Sequence, residues 1–373
     1  MSGLPFGRRS RRLPLGLMGM LALVLAIESA VAARRLDLVN PAAEDWRSAA
    51  RAAESRSLGR DVLCFGDSLV KYGVLPRVIE ARAGLRSYNL ATAGGTMPSA
   101  YFLLRRAFDS GARPRAIVAD FAALMLADPD PPAPANYAEL GTLGDCLDLA
   151  WNARDAALFG SLAVGKVLPS YRWRFEVRGA CLASLGGRIA SPRPMTENLR
   201  KLWLDELGSQ PMPTMPPRPP TADVLVDGCS PPDWSIEPRN RLYLDRFLAL
   251  AESRAVPVFW LIPPLGPEVH ARRAARGADD AYARFARGRA AEHRSVVVVD
   301  ARRSGYDESV HIDHMHLDRR GAKVLTADLA ALLVDRLGAR SEHPAWVELP
   351  PYAGRTGDEP GRSVATSTGA TIR

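Results

Sequence analysis

With 373 residues, 47% of them hydrophobic and 24% charged, the chain can bury a substantial core and has the make-up of an ordinary globular protein. That excludes a disulfide-stapled miniprotein, a collagen-like repeat, wholesale disorder and a polytopic membrane protein. The net charge of +8 rests on 49 basic residues of which four are lysines, and the arginines are scattered without a basic stripe or interleaved aromatics, so no nucleic-acid partner is expected.

The N-terminus carries Arg8, Arg9, Arg11 and Arg12 ahead of fifteen uncharged residues, 13–27, followed by Glu28 and a small-residue run. This is the pattern of an export signal. Ala30-Val31-Ala32 has the small-x-small form of a cleavage site, which would give a secreted protein. Residues 13–33 also roughly span a bilayer core at helical rise, with Glu28 near the outer end, which fits an uncleaved anchor and is the reading taken forward for residues 1–35. In both cases the arginines put the bulk of the chain outside the cytoplasm, in the periplasm or at the cell surface. Residues 36–58, polar and alanine-rich, are expected to form a helical stalk.

From Asp61 onward, short apolar runs at 62–65, 88–90, 116–119, 256–262 and 296–299 alternate with amphipathic stretches. Such runs predict buried parallel strands joined by crossover helices, an α/β fold with five strands. Leu244, Phe247, Leu248 and Ala251 share one helical face, as do Leu325, Leu329, Leu332 and Leu333 before a stop at Gly338.

An insert at about 128–238 separates the third and fourth strands. Its proline-dense edges predict loops, and its middle, 151–185, predicts helix. Two readings of it stand side by side, a cap over a substrate site and a passive excursion. Residues 339–373, rich in Gly, Ser, Thr and Pro, predict a disordered tail. Cys64 lies inside the first strand as a buried thiol. Cys146, Cys181 and Cys229 fall in the insert, where an exported protein can form one disulfide of undetermined pairing. No zinc spacing is present.

The chemistry-bearing residues lie at strand ends. The first strand runs into Gly66-Asp67-Ser68 and then a helical pattern, which puts Ser68 at the carboxyl edge of the sheet, where open α/β sheets bind ligands and helix N–H groups can stabilise an oxyanion. The competing reading is an ordinary N-cap serine. After the last of the five strands comes His311-Ile312-Asp313-His314-Met315-His316. Asp313 and His316 are three residues apart, so one turn can seat the carboxylate on one imidazole nitrogen and leave the other for a serine. A metal site from His311, Asp313, His314 and His316 is the rival, but they lie too close in sequence to surround an ion without distant partners.

With these motifs paired on one sheet edge, residues 61–338 apart from the insert resemble the SGNH, or GDSL, hydrolase superfamily. The resemblance implies a flavodoxin-like three-layer sandwich and serine-based ester hydrolysis or acyl transfer, with no cofactor and no metal. Gly66-Asp67-Ser68 looks like the first block, with Ser68 as nucleophile and its amide as an oxyanion donor. Asn89-Leu90-Ala91-Thr92-Ala93-Gly94-Gly95 looks like the second, with the Gly94 amide as another donor. Asp313-His314-Met315-His316 looks like the last, with His316 as general base and Asp313 as its orienter. The third block departs: the family's Gly-x-Asn-Asp is replaced, and Leu124 stands where the asparagine donor is expected. Thr96 or a residue of the insert is then required to replace that donor, or the enzyme is slow. The resemblance implies a small-molecule or polysaccharide ester as substrate, with an O-acetylated cell-surface polysaccharide first. An eroded, carbohydrate-binding or assembly protein on the same scaffold is the alternative that Leu124 suggests.

Overall fold

The computed structural model describes residues 15–33, 41–129, 134–187, 193–214, 216, 222–338 and 345–352; the arginine cluster at 8–12 and most of the tail lie outside them. Six strands form one parallel sheet: β1 (Val62–Phe65), β2 (Ser87–Asn89), β3 (Ala116–Asp120), β4 (Val258–Ile262), β5 (Val296–Asp300) and β6 (Trp346–Glu348), in the order β2-β1-β3-β4-β5-β6. The first five coincide with the apolar runs to within a residue or two. They are readable because they are buried on both faces, which leaves continuous apolar stretches. Leu63, Phe65, Ile117, Ala119, Val258, Trp260 and Ile262 point into one apolar cluster, and Val62, Cys64, Ala116, Val118, Phe259 and Leu261 into the other. This is the period-two alternation of a strand.

The helices are α1 (Leu15–Ala33), α2 (Pro41–Ser55), α3 (Ser68–Gly73), α4 (Pro76–Ala83), α5 (Met97–Asp109) and α6 (Ala123–Ala127). The insert contributes α7 (Pro134–Leu140), α8 (Leu143–Ala153), α9 (Ala156–Val167), α10 (Pro169–Arg172), α11 (Arg174–Leu185), α12 (Arg193–Asp205) and α13 (Asp223–Gly228). After it come α14 (Pro238–Ser253), α15 (Pro267–Ala275), α16 (Ala278–Glu292) and α17 (Arg319–Gly338). Helices cover both faces of the sheet: α2, α5, α14 and α16 bury side chains in the first cluster, α3, α4 and α17 in the second. The predicted faces of α14 and α17 are buried as read, and α17 ends at Gly338.

The sixth strand corrects the expected count of five and the expected tail. Trp346, Val347 and Glu348 pair in parallel with β5, and Val347, Leu349 and Tyr352 are buried, with Tyr352 stacked on Tyr306 at 4.8 Å. Three residues between Pro344 and Pro350 leave no readable run; the strand exists because the β5 edge accepts it.

Residues 36–58 are also corrected. They contain the expected helix, but α2 is no free stalk: Ala43, Trp46, Ala49, Ala50, Ala52 and Ala53 are buried. An apolar face made of alanines and one tryptophan reads as weakly polar sequence while still packing closely. The helical middle of the insert is borne out by α8 to α11. Cys64, Cys146 and Cys229 are free and buried, so those three form no disulfide with one another; the side chain of Cys181 lies outside the described residues.

In α1, Leu15, Leu17, Leu21, Leu23, Leu25 and Ile27 are exposed, whereas Glu28 is buried and accepts the Ser170 N–H at 3.0 Å and the Ser170 hydroxyl at the start of α10. Among the described residues, no helix is long and apolar enough to cross a membrane.

Candidate active site

The strand order sets the location. The chain leaves β1, forms β2 on one side, then returns to form β3 on the other, so the crevice at the carboxyl ends of β1 and β3 is a topological switch point, the place where open α/β sheets take ligands. Ser68 follows β1, the 91–95 loop follows β2 and the segment 121–125 follows β3.

Ser68 is the first residue of α3, and it is not the cap. The cap is Asp67, whose Oδ1 accepts the Leu69 N–H at 2.7 Å. The serine hydroxyl is thereby free of the local role that the competing reading gave it. Its Oγ lies 2.7 Å from His316 Nε2. His316 Nδ1 lies 2.7 Å from Asp313 Oδ2, and Asp313 Oδ1 accepts the N–H groups of Met315 and His316, both at 2.8 Å. Partial burial acts to raise the Asp313 pKa, but the hydrogen bond and charge of His316 and the two backbone donors outweigh it and hold the carboxyl far below the usual carboxylate range. An ionised carboxylate only accepts, so the Nδ1 proton is fixed facing Asp313 and Nε2 is left to accept from Ser68. Hydroxyl, imidazole and carboxylate, with Ser68 and His316 248 positions apart along the chain, thus make one relay.

The loop that carries the pair is closed by a bridge between His311 and Leu317 and by the Ile312 N–H donating to the His316 carbonyl at 2.9 Å. His311 is buried with Nδ1 2.9 Å from the Asp307 carbonyl, and His314 offers its own carbonyl to the Gly266 N–H. Of the four residues of the rival metal reading, Asp313 and His316 are thus engaged with each other and His311 with the Asp307 carbonyl. Among the described residues no three His, Cys, Asp or Glu side chains are grouped to hold an ion.

Under Ser68 lies a carboxyl pair that the sequence reading missed. Asp120, at the end of β3, is fully buried, and its Oδ1 accepts the Asp67 N–H at 3.0 Å. Burial and the adjoining Asp67 charge push the Asp120 carboxyl well above its ordinary range, which favours its protonated form. This approach dictates the glycine before the pair: a Cβ on Gly66, which sits at φ +138°, would fall 1.5 Å from Asp120 Oδ1.

A cavity of about 300 Å³ opens beside Ser68. Gly94, Gly95 and Thr96 form one wall, Leu124, Met125 and Met315 another, and the insert and its exit contribute Asp128, Tyr137, Leu149, Arg239 and Asn240. The insert is therefore part of the pocket and not a detached excursion. Leu124 lines the cavity as expected and offers no donor. The side-chain amide of Asn240, which lines the cavity, is committed: its Nδ2 donates to the carbonyls of Met125 at 3.0 Å, Leu126 at 3.2 Å and Asp128 at 2.8 Å, fixing the segment after β3. Thr96 caps α5 through Ser99 and its hydroxyl lies 2.6 Å from the Tyr137 hydroxyl, both residues lining the cavity.

No family model and no curated protein matches the chain.

Proposed function

We propose that the chain is an exported serine ester hydrolase or O-acyltransferase of the SGNH type, its sheet and two helical layers being that family's three-layer sandwich with one added edge strand. The observation that carries the reading is the Ser68–His316–Asp313 relay at the switch point, with both hydrogen bonds at 2.7 Å.

In this reading His316 Nε2 takes the Ser68 proton as Oγ attacks the ester carbonyl, forming the Oγ–C bond. The negative charge that develops on the carbonyl oxygen faces the N–H groups of Ser68 and Gly94. Collapse breaks the bond to the alcohol, which leaves with the proton from His316. The acyl group, now an ester of Ser68, is attacked by water or an acceptor hydroxyl that gives its proton to the same nitrogen, releasing acid or a new ester. Asp313 holds the imidazole in the needed tautomer and supports the imidazolium between the two proton transfers.

The cavity, of a size for a small acyl group with part of its alcohol, supports a short ester, and an O-acetylated cell-surface polysaccharide is the substrate class proposed. Export and retention at a membrane through the N-terminal segment belong to the proposal and are supported by the arginine cluster and by the exposed leucines of α1. Leu124 favours a second reading, a glycan-binding protein without turnover. Hydrolysis of p-nitrophenyl acetate by wild type and by Ser68→Ala decides between them. Turnover lost in the variant supports the enzyme; absent turnover in both, with glycan binding retained, supports the binding protein.

A further inference from the structure

The loop that would supply the second oxyanion donor is gripped by a helix outside the expected hydrolase domain. Trp46 of α2 donates its Nε1–H to the Ala93 carbonyl at 2.9 Å, and Asp45 accepts the Ala93 N–H on Oδ2 at 2.7 Å. The other oxygen of Asp45 accepts from Lys71 Nζ at 2.6 Å, with both side chains only 3% exposed. Lys71 lies three residues beyond Ser68, on the same helix. One buried ion pair thus joins the nucleophile's helix to the residue before Gly94.

The geometry of the peptide unit gives this grip a consequence. The Ala93 carbonyl and the Gly94 N–H belong to one trans peptide plane and point in opposite directions. Holding the carbonyl from the α2 side therefore aims the Gly94 N–H away from α2. Gly94 has φ +65°, a conformation from which glycine leaves at little cost, so the aim of that N–H has to be imposed from outside. The next residue limits the loop from below, since a Cβ on Gly95 would come within 2.4 Å of the Gly66 carbonyl. The far end of the loop is reached as well: Trp46 packs edge-on to Tyr137 at 5.3 Å, and Tyr137 bonds Thr96.

We infer that Asp45 and Trp46 are positioning residues that aim the Gly94 N–H into the pocket by holding Ala93 at both its N–H and its carbonyl. The inference rests on the esterase reading above, because the N–H matters only if charge develops on a bound carbonyl. Neither residue touches substrate; each acts through Ala93.

The test compares full-length variants on p-nitrophenyl acetate. Trp46→Phe keeps an aromatic ring at this buried position but removes the donor to Ala93 together with part of the indole's packing. Removing an oxyanion donor outright typically costs about a hundred- to a thousandfold in kcat, and a misaimed one is expected to cost at least about tenfold, with KM changed less than about twofold. Ala53→Gly loosens α2 without touching the loop and serves as the control for packing; it is expected to lower the melting temperature and leave kcat unchanged well below it. A Trp46→Phe enzyme with wild-type kcat, or an Ala53→Gly enzyme with the same kcat loss, overturns the inference. Ser68→Ala in the same assay separates the two levels of argument. If that variant keeps full activity, the esterase reading itself falls; if it is silent while Trp46→Phe is normal, only the positioning role is lost.

Discussion

The sheet and the insert both supply walls to one pocket, yet they are held together on different terms. Along β1 to β5 the apolar side chains pack into one of two large clusters, and the aromatic rings of Phe65, Phe121, Phe247 and Trp260 meet edge to face at 4.9–5.6 Å. The insert is a succession of short helices in which Leu143, Leu147, Trp151, Val167, Leu182 and Leu185 remain exposed, Trp151 by 79%. The Ser68–His316–Asp313 relay is carried by strand ends of the first region, and Tyr137 and Leu149 bring the second to the same cavity. A scaffold divided in this way lets the shape of the pocket change while the relay stays fixed.

Substitutions on the two sides of this division are expected to differ in kind, from the largest effect downward. Asp313→Asn keeps the shape of the relay but admits the wrong imidazole tautomer, and kcat is expected to fall by about ten-thousandfold, read from steady-state ester hydrolysis. Phe247→Ala empties a buried ring site between Phe65 and Phe121 and is expected to cost about 3–5 kcal/mol in denaturant unfolding. Tyr137→Phe asks whether the insert takes part in the chemistry: if its hydroxyl, with that of Thr96, stands in for the missing asparagine, kcat falls by roughly a hundredfold with stability little changed. Unaltered kcat would reduce the insert to a wall. Trp151→Ala in the insert should change stability by no more than about 0.5 kcal/mol, since the ring is largely in water. A large loss there would mean that the insert is as tightly integrated as the sheet.

The carboxyl pair adds a pH signature to the sheet side. Burial and the adjoining Asp67 charge raise the folded pKa of Asp120 above its unfolded one. Stability is then unaffected by this group below the unfolded value and declines as pH rises from there toward the folded value, because only the unfolded chain is releasing the proton. Asp120→Asn removes that decline. The variant is expected to match wild type in acid and to exceed it at neutral pH, measured as melting temperature across the pH range; a variant less stable at every pH contradicts the assignment.

Legibility in the sequence followed the same physical lines. Strands buried on two faces leave uninterrupted runs such as Val296 to Val299, and Ser68, Asp313 and His316 stand out because their side chains carry chemistry at strand ends. Trp46, Tyr137 and Asp120 gave no such signal. Their roles depend on partners far away in the chain, Trp46 on Ala93 and Asp120 on Asp67, and no local spacing encodes a contact of that range. The strand β6 and the packed face of α2 were missed for a related reason: three residues and a row of alanines are too little pattern, and only the neighbouring surface makes them structure.

The central claim concerns a single oxygen atom. Treating the folded chain with a fluorophosphonate and mapping the adduct by mass spectrometry tests it most directly. The account predicts one phosphonyl group on the peptide containing Ser68, abolished by His316→Ala. An adduct confined to other residues, or equal labelling after that substitution, would contradict it.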